Sequence, residues 1–399
     1  MDHFFTDLGQ TVLARWKAAN FSPAFFPDIA CRAFEERPPA EHVDVAGLIR
    51  DFLLNDEQPF QSQSGFGEPE LVVYDDPRFY IQILFWMDGT TDIHQHTFSG
   101  AFHVLAGSSI HSRFEFENAE AVSAHLCVGR LRMKETRLLE TGSTAPIVSG
   151  SGHIHSLFHL DTPSISVVIR THSDPGTGPQ FTYLPPHIAV DPFHNDALTN
   201  RRKQLLDVLE KTNDPAYPEM VAAMLRELDF ERGFFILQNG VGHLQSEGDW
   251  EECLQIFQEK HGRLAEGVAP TLDEIVRRDG LVELRRSITD PDHRFFLALL
   301  LNVPSRADIL AMVGQRFPGA PADTIMRWIE DLTETSDLGT WILDAEFRLT
   351  MPVEQQPDVI FSALRSLIEG NDPSSPLPVA ELEGVRNSIS RSSLRALIS

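Results

Sequence analysis

Between residues 69 and 185, short runs of β-branched and aromatic residues alternate with turn signals. The runs fall at 70–74, 78–86, 101–105, 109–116, 125–128, 145–148, 154–158, 164–171 and 180–184. Asp75-Asp76-Pro77, Met87-Asp88-Gly89, Ala106-Gly107 and Thr141-Gly142-Ser143 punctuate them. Short strands at this spacing predict a β-sandwich or a small barrel.

The flanks have a different texture. Residues 1–66 carry apolar side chains at helical spacing, as in Leu8, Val12, Leu13 and Trp16, and again from Val43 to Leu53. Residues 61–67 are a polar, glycine-rich joint. After Pro185-Pro186 the pattern turns helical again, with helices expected at 200–212, 219–228 and 250–259. Three more are expected at 292–301, 306–317 and 322–333, a winged-helix-like unit about 285–350 that would serve as an interaction or dimer module. The stretch 371–378 and the later Ser390-Arg391-Ser392-Ser393 read as a loosely held tail. The expected organisation is thus an N-terminal helical segment (1–66), a β-domain (67–190) and a helical C-terminal region (191–399), an α+β chain.

Composition excludes several function classes. The chain has 399 residues and a formal charge of −25, which repels nucleic-acid backbones and anionic membranes. No apolar run approaches the ~20 residues of a membrane helix. The three cysteines are odd in number and far apart, which fits a reducing compartment. With no basic, apolar leader at the N-terminus, a cytoplasmic protein is expected.

Six of the 16 histidines lie in two windows, 89–107 and 150–159. Side chains at i and i+2 of a strand share a face, so His94 and His96 point the same way. A third imidazole from another strand would complete a transition-metal site. Asp92 shares their parity and offers a rival carboxylate. His153 and His155 share a parity too.

The segment from Gly89 through His94, His96 and Gly100 to Gly107 resembles the first motif of the cupins. Gly150, Gly152, His155 and His159 resemble the second. The resemblance covers about residues 67–185 and implies a jelly-roll β-barrel with a metal held by His94, His96 and His155. Gly100 stands where most cupins carry a glutamate ligand. That substitution, the aromatic strand ending at Trp86 and the later 162–170 stretch resemble the three-histidine, cysteine-dioxygenase-like thiol dioxygenases. Leu71-Val72-Val73-Tyr74 lacks those enzymes' substrate-binding arginine, and Arg170 occupies the place of their closing-strand tyrosine.

The resemblance implies a non-haem iron dioxygenase acting on a small anionic substrate, such as a thiol, with O2 as co-substrate. Fe(II) is the expected metal, with Zn or Ni as alternatives. Arg170 would orient the substrate and His159 would orient a metal ligand. His103 is expected to pack; His111, His125 and His172 are expected to be ordinary strand or loop residues. Two other readings stand beside this one. One is a non-catalytic, ligand-sensing cupin whose helical region meets a partner. The other is a Zn or Ni cupin isomerase or hydrolase. Cupins often pair, so a homodimer is expected.

Overall fold

A computed structural model describes residues 3–61, 66–87, 92–241, 243–244, 246–336, 356–370 and 379–398. The chain divides into two compact units, Met1–Glu274 and Ile275–Ser399. Gly89, most of the 61–67 joint, the 371–378 stretch and the end of the winged-helix-like unit lie outside the described residues.

Eleven described strands build the β-domain: β1 (Glu70–Asp75), β2 (Phe79–Trp86), β3 (Ile93–His94), β4 (Gly100–Ala106), β5 (Ser108–Ala121), β6 (Leu126–Glu140), β7 (Thr144–Ile147), β8 (Ile154–His159), β9 (Ser164–Thr171), β10 (Thr182–Leu184) and β11 (Ile188–Val190). One sheet has the order β1-β2-β9-β4-β7; the other closes as β10-β11-β6-β5-β8-β3. The chain crosses repeatedly between the sheets, so β2-β9-β4-β7 faces β3-β8-β5-β6. That interleaving is a jelly roll, as expected. Pro146 sits in β7, at a sheet edge, where a missing N–H breaks no inner ladder.

The N-terminal helices cover the outer face of the first sheet. They are α1 (His3–Ala18), α2 (Phe26–Glu36), the single turn α3 (Pro39–His42) and α4 (Val45–Leu54). Phe5, Leu8, Val12 and Trp16 of α1 and Phe26, Ala30 and Phe34 of α2 join Phe79, Ile81, Ile83 and Phe85 of β2 in one core. The alternate β2 residues, Gln82, Leu84 and Trp86, face the barrel interior and line its cavity. β2 is therefore buried on both faces, which is why its sequence reads as a continuous apolar run. His103, on the helix-covered side of β4, lies against Phe34 and hydrogen-bonds Thr144, a packing role as expected.

Helices α5 (Ala197–Lys211), α6 (Tyr217–Glu227), α7 (Phe230–Gly240) and α8 (Glu247–His261) follow in the first unit, before α9 (Val268–Ser287). Asp196, Asp229 and Ser246 cap α5, α7 and α8 by accepting from first-turn N–H groups. The second unit holds α10 (Pro291–Asn302), α11 (Arg306–Arg316), α12 (Pro321–Thr335), α13 (Gln356–Glu369) and α14 (Val379–Arg391). Seven consecutive residues of α10, Phe295 to Leu301, are buried, so this helix is enclosed on all sides. The later tail differs from the expectation of loose attachment. Residues 379–391 are helical because Val385 and Ile389 recur on one face and are buried. Among the described residues, no helix is long and apolar enough to cross a membrane.

Candidate metal centre

The site forms where two strands of the second sheet meet. β3 pairs with β8 through a single register match, His94 opposite His155. Beyond β3, His96 bridges to Ser149, and the Gly150 N–H donates to the His96 carbonyl at 2.8 Å. Gly150 has φ +82°, a turn conformation suited to glycine. That turn carries the chain from β7 past His96 into β8. His94, His96 and His155 consequently converge, with ligand nitrogens all within 4.8 Å of one another. All three are buried.

Their hydrogen bonds define what each ring can offer. His94 Nδ1 lies 2.7 Å from the Asp92 carbonyl. A carbonyl only accepts, so His94 carries its proton on Nδ1 and leaves Nε2 free as a ligand. Asp92 contributes its backbone; its side chain is exposed and outside the converging group. His96 Nε2 and His155 Nε2 stand 2.8 Å apart. Two lone pairs cannot face each other at that distance without a proton or a cation between them. His155 Nδ1 is 3.1 Å from His111 Nε2. When His155 offers Nε2 to an ion, its Nδ1–H donates to His111. Burial, the largest cause, pushes His96 and His155 well below the ordinary histidine range and also lowers His94. The rings are thus neutral, the form that binds metal.

The histidines fit a transition-metal ion. They are neutral, they converge, and imidazole suits Fe, Zn, Cu and Ni. Position 100, where the motif resemblance places a carboxylate, has no room for a side chain. A Cβ at Gly100 would lie 1.9 Å from the Ile169 carbonyl oxygen and 2.9 Å from Arg170 Cα. The 97–99 turn is pinned to the end of β9: Ser99 N–H donates to Thr171 Oγ1, and Asp174 accepts from both Ser99 Oγ and Thr171 Oγ1. Those bonds draw Gly100 against β9.

Arg170 faces the same region from β9. Its guanidinium lies 3.3 Å from the centre of the Phe98 ring and 5.2 Å from that of Tyr80. Phe98 in turn meets His96, ring to ring at 4.3 Å. Arg170 makes no ion pair among the described residues; its Nε donates to the Thr171 carbonyl at 3.3 Å. His159 sits deeper, stacked on Trp86 at 4.5 Å. Its Nδ1 bonds Ser109 and Ser164 rather than any of the three converging rings. His111, expected to be an ordinary strand residue, is instead the partner that orients His155. Its place follows from the β5–β8 register, where His155 lies opposite Arg113, two residues along β5. Sequence spacing carries no sign of that pairing.

A cavity of about 40 Å³ adjoins the three histidines, walled by Trp86, Phe98, Phe102 and Val168 among others. It admits a few water-sized molecules. A larger cleft of about 490 Å³ lies near His194 and Asp196, away from the converging rings. Arg232 there is held by Asp196 at 2.7 Å and Asp229 at 3.2 Å.

The buried histidines make the metal-free fold acid-sensitive. Burial lowers His103 to about 4 and His159 to about 3. Below pH ~6.5 the unfolded chain takes up protons that these rings refuse, so stability is full above that pH and falls as pH drops. The slope approaches ~1.4 kcal/mol per pH unit for each ring. Urea midpoints of metal-free protein should fall steeply from pH 6.5 to 4.5. Replacing His103 and His159 with Asn should flatten the decline; an unchanged slope would contradict the assignment.

Strand order and site together define a jelly-roll barrel whose histidine cluster could hold a metal ion. No family model matches the chain, and no curated protein matches it. Solved structures similar to it include hydroquinone 1,2-dioxygenase from Sphingomonas sp. TTNP3, at 11% identity over 27% of this chain and 68% of that one, with TM-score 0.21. KdgF from Halomonas sp. shows 15% identity over 31% and 93%, TM-score 0.21. A cupin-2 domain protein from Shewanella frigidimarina shows 13% over 33% and 96%, TM-score 0.20. The jelly-roll assignment rests on the strand order, not on these likenesses.

Proposed function

We propose that the barrel is a non-haem iron dioxygenase acting on a small anionic substrate, a thiol among the candidates. The observation that carries this reading is the opposed Nε2 pair of His96 and His155, with no carboxylate in the converging group among the described residues. Three neutral imidazoles leave the full charge of Fe(II) available to an anionic substrate. The bound ion would supply a redox-active Lewis acid.

This chain's own residues supply the rest. His94 is fixed as a ligand by its Nδ1–H bond to the Asp92 carbonyl, and His155 by His111. Arg170, which makes no ion pair among the described residues, takes the substrate's anionic group. Trp86, Phe98 and Phe102 keep water away, which strengthens that attraction. His159 acts through Trp86, holding that wall of the cavity in place. The small cavity favours a substrate of few atoms.

Anaerobic loading with Fe(II), followed by O2 uptake with a panel of thiols and other small anions, tests the reading. Iron-loaded protein that consumes no O2 with any of them overturns it. Arg170→Ala should retain iron and raise KM about 10- to 150-fold, the loss of a charge-assisted hydrogen bond of about 1.5–3 kcal/mol. Arg170→Lys should recover part of that. An unchanged KM in Arg170→Ala would remove Arg170 from substrate binding.

A further inference from the structure

The histidine-rich interior extends past the three candidate ligands. His111, His153 and His155 form a second group whose ligand nitrogens also lie within 4.8 Å of one another. Their side chains are 1%, 3% and 2% exposed. His155 belongs to both groups. Its Nε2 faces His96 at 2.8 Å, and its Nδ1 faces His111 Nε2 at 3.1 Å. The His153 ring lies 5.1 Å from that of His155, and its Nε2 is buried with no hydrogen-bond partner.

We propose that the barrel binds a second transition-metal ion between His111, His153 and His155, with the His155 ring shared by two ions. The inference rests on the three-histidine site above. A hydrogen bond between His111 and His155 satisfies one nitrogen of each, but it leaves His153 Nε2 buried and bare. A bare buried polar atom costs about 1–3 kcal/mol. A cation here takes lone pairs from all three rings at once. Imidazole donors without carboxylate or thiolate select a borderline divalent ion such as Cu(II), Zn(II) or Ni(II), and exclude Mg(II) and Ca(II). Neutral His155 has one N–H, on Nδ1 and given to His111 while only the first site is filled; filling the second site makes His155 an imidazolate, so the neutral three-imidazole set describes the singly loaded protein. Coordination through both nitrogens displaces that proton to the buffer, and no electron is transferred.

Copper provides the test because it can be counted and seen by electron paramagnetic resonance. Metal-stripped protein is loaded with Cu(II), cleared of loosely held ions on a chelating resin, and assayed for copper per chain. Wild type should retain two. Their integrated resonance should fall well below the total copper, because spins couple through a shared imidazole ring. His153→Gln should retain one copper with a full signal. That residue lies in the turn before β8, outside the strand ladder. His111→Gln is the second variant, with circular dichroism checking the fold of each. His96→Ala should also lose one copper, this time from the other site. A single copper in wild type, a second that survives His153→Gln, or two with a full uncoupled signal overturns the proposal. One copper lost in His96→Ala but kept in His153→Gln would sink the second site and leave the first standing. No retained copper at all would sink both.

Discussion

His96→Ala is expected to lose one metal ion per chain and to weaken affinity at the first site by at least ~100-fold. Even partners that only orient a ligand are worth about 10- to 100-fold in affinity, so removing a ligand costs more. In the metal-free protein the same change should cost about 1–3 kcal/mol, because it breaks the His96–His155 hydrogen bond and leaves His155 Nε2 buried without it. The shift on adding metal is the diagnostic. An ion at 100 times its Kd stabilises the folded chain by about 2.7 kcal/mol, and His96→Ala should forfeit most of the gain due to that ion. Elemental analysis and urea unfolding with and without added Zn(II) measure both quantities. Equal metal content and an equal shift in wild type and variant would show that His96 is no ligand.

Gly100→Glu, which writes in the carboxylate of the cupin motif that the sequence resembles, is expected to disrupt the barrel rather than to complete the site. The new Cβ would meet the Ile169 carbonyl oxygen at 1.9 Å, and that contact is with backbone in the β4–β9 ladder, not with a side chain free to turn aside. Relief requires moving β9, whose Val167 and Ile169 sit in the core beneath α1 and α2. A loss of at least ~3 kcal/mol follows from overpacking of this severity. Gly100→Ala carries the same Cβ and should show much of the same loss. Urea unfolding measures it. A Gly100→Glu chain as stable as wild type would mean that β4 adjusts freely, and that the missing carboxylate is a matter of selection rather than of space.

The β-domain was legible because strands buried on both faces, such as β2, spell themselves as apolar runs, and turn residues bound them. Parity placed His94 beside His96, and motif spacing added His155. Other features left no local trace. β3 is two residues long, and β11 follows Pro185-Pro186, where the pattern turns helical. β6 runs to Glu140, well past the expected 125–128, as the outer part of a long hairpin with β5. Its charged half is held by cross-strand pairs such as Arg132–Glu117 and Lys134–Glu115, and such charged residues carry no apolar strand pattern in sequence. The helices at 230–240 and 268–287 passed without notice among neighbours of similar texture.

The residues by themselves specified short strands of a sandwich or small barrel, helical flanks and a pair of histidines on one strand face, and the motif resemblance added the jelly roll, the third histidine and the missing carboxylate. Tertiary structure decided which nitrogens meet. His155 lies 61 residues from His94 in the chain, and a single register match joins them. Register also brought His111 to His155, and packing set Arg170 over Phe98. A strand pattern specifies which face a side chain takes, because its period is two. It does not specify the partner across the ladder, since that depends on loops and sheet order that only the closed barrel sets.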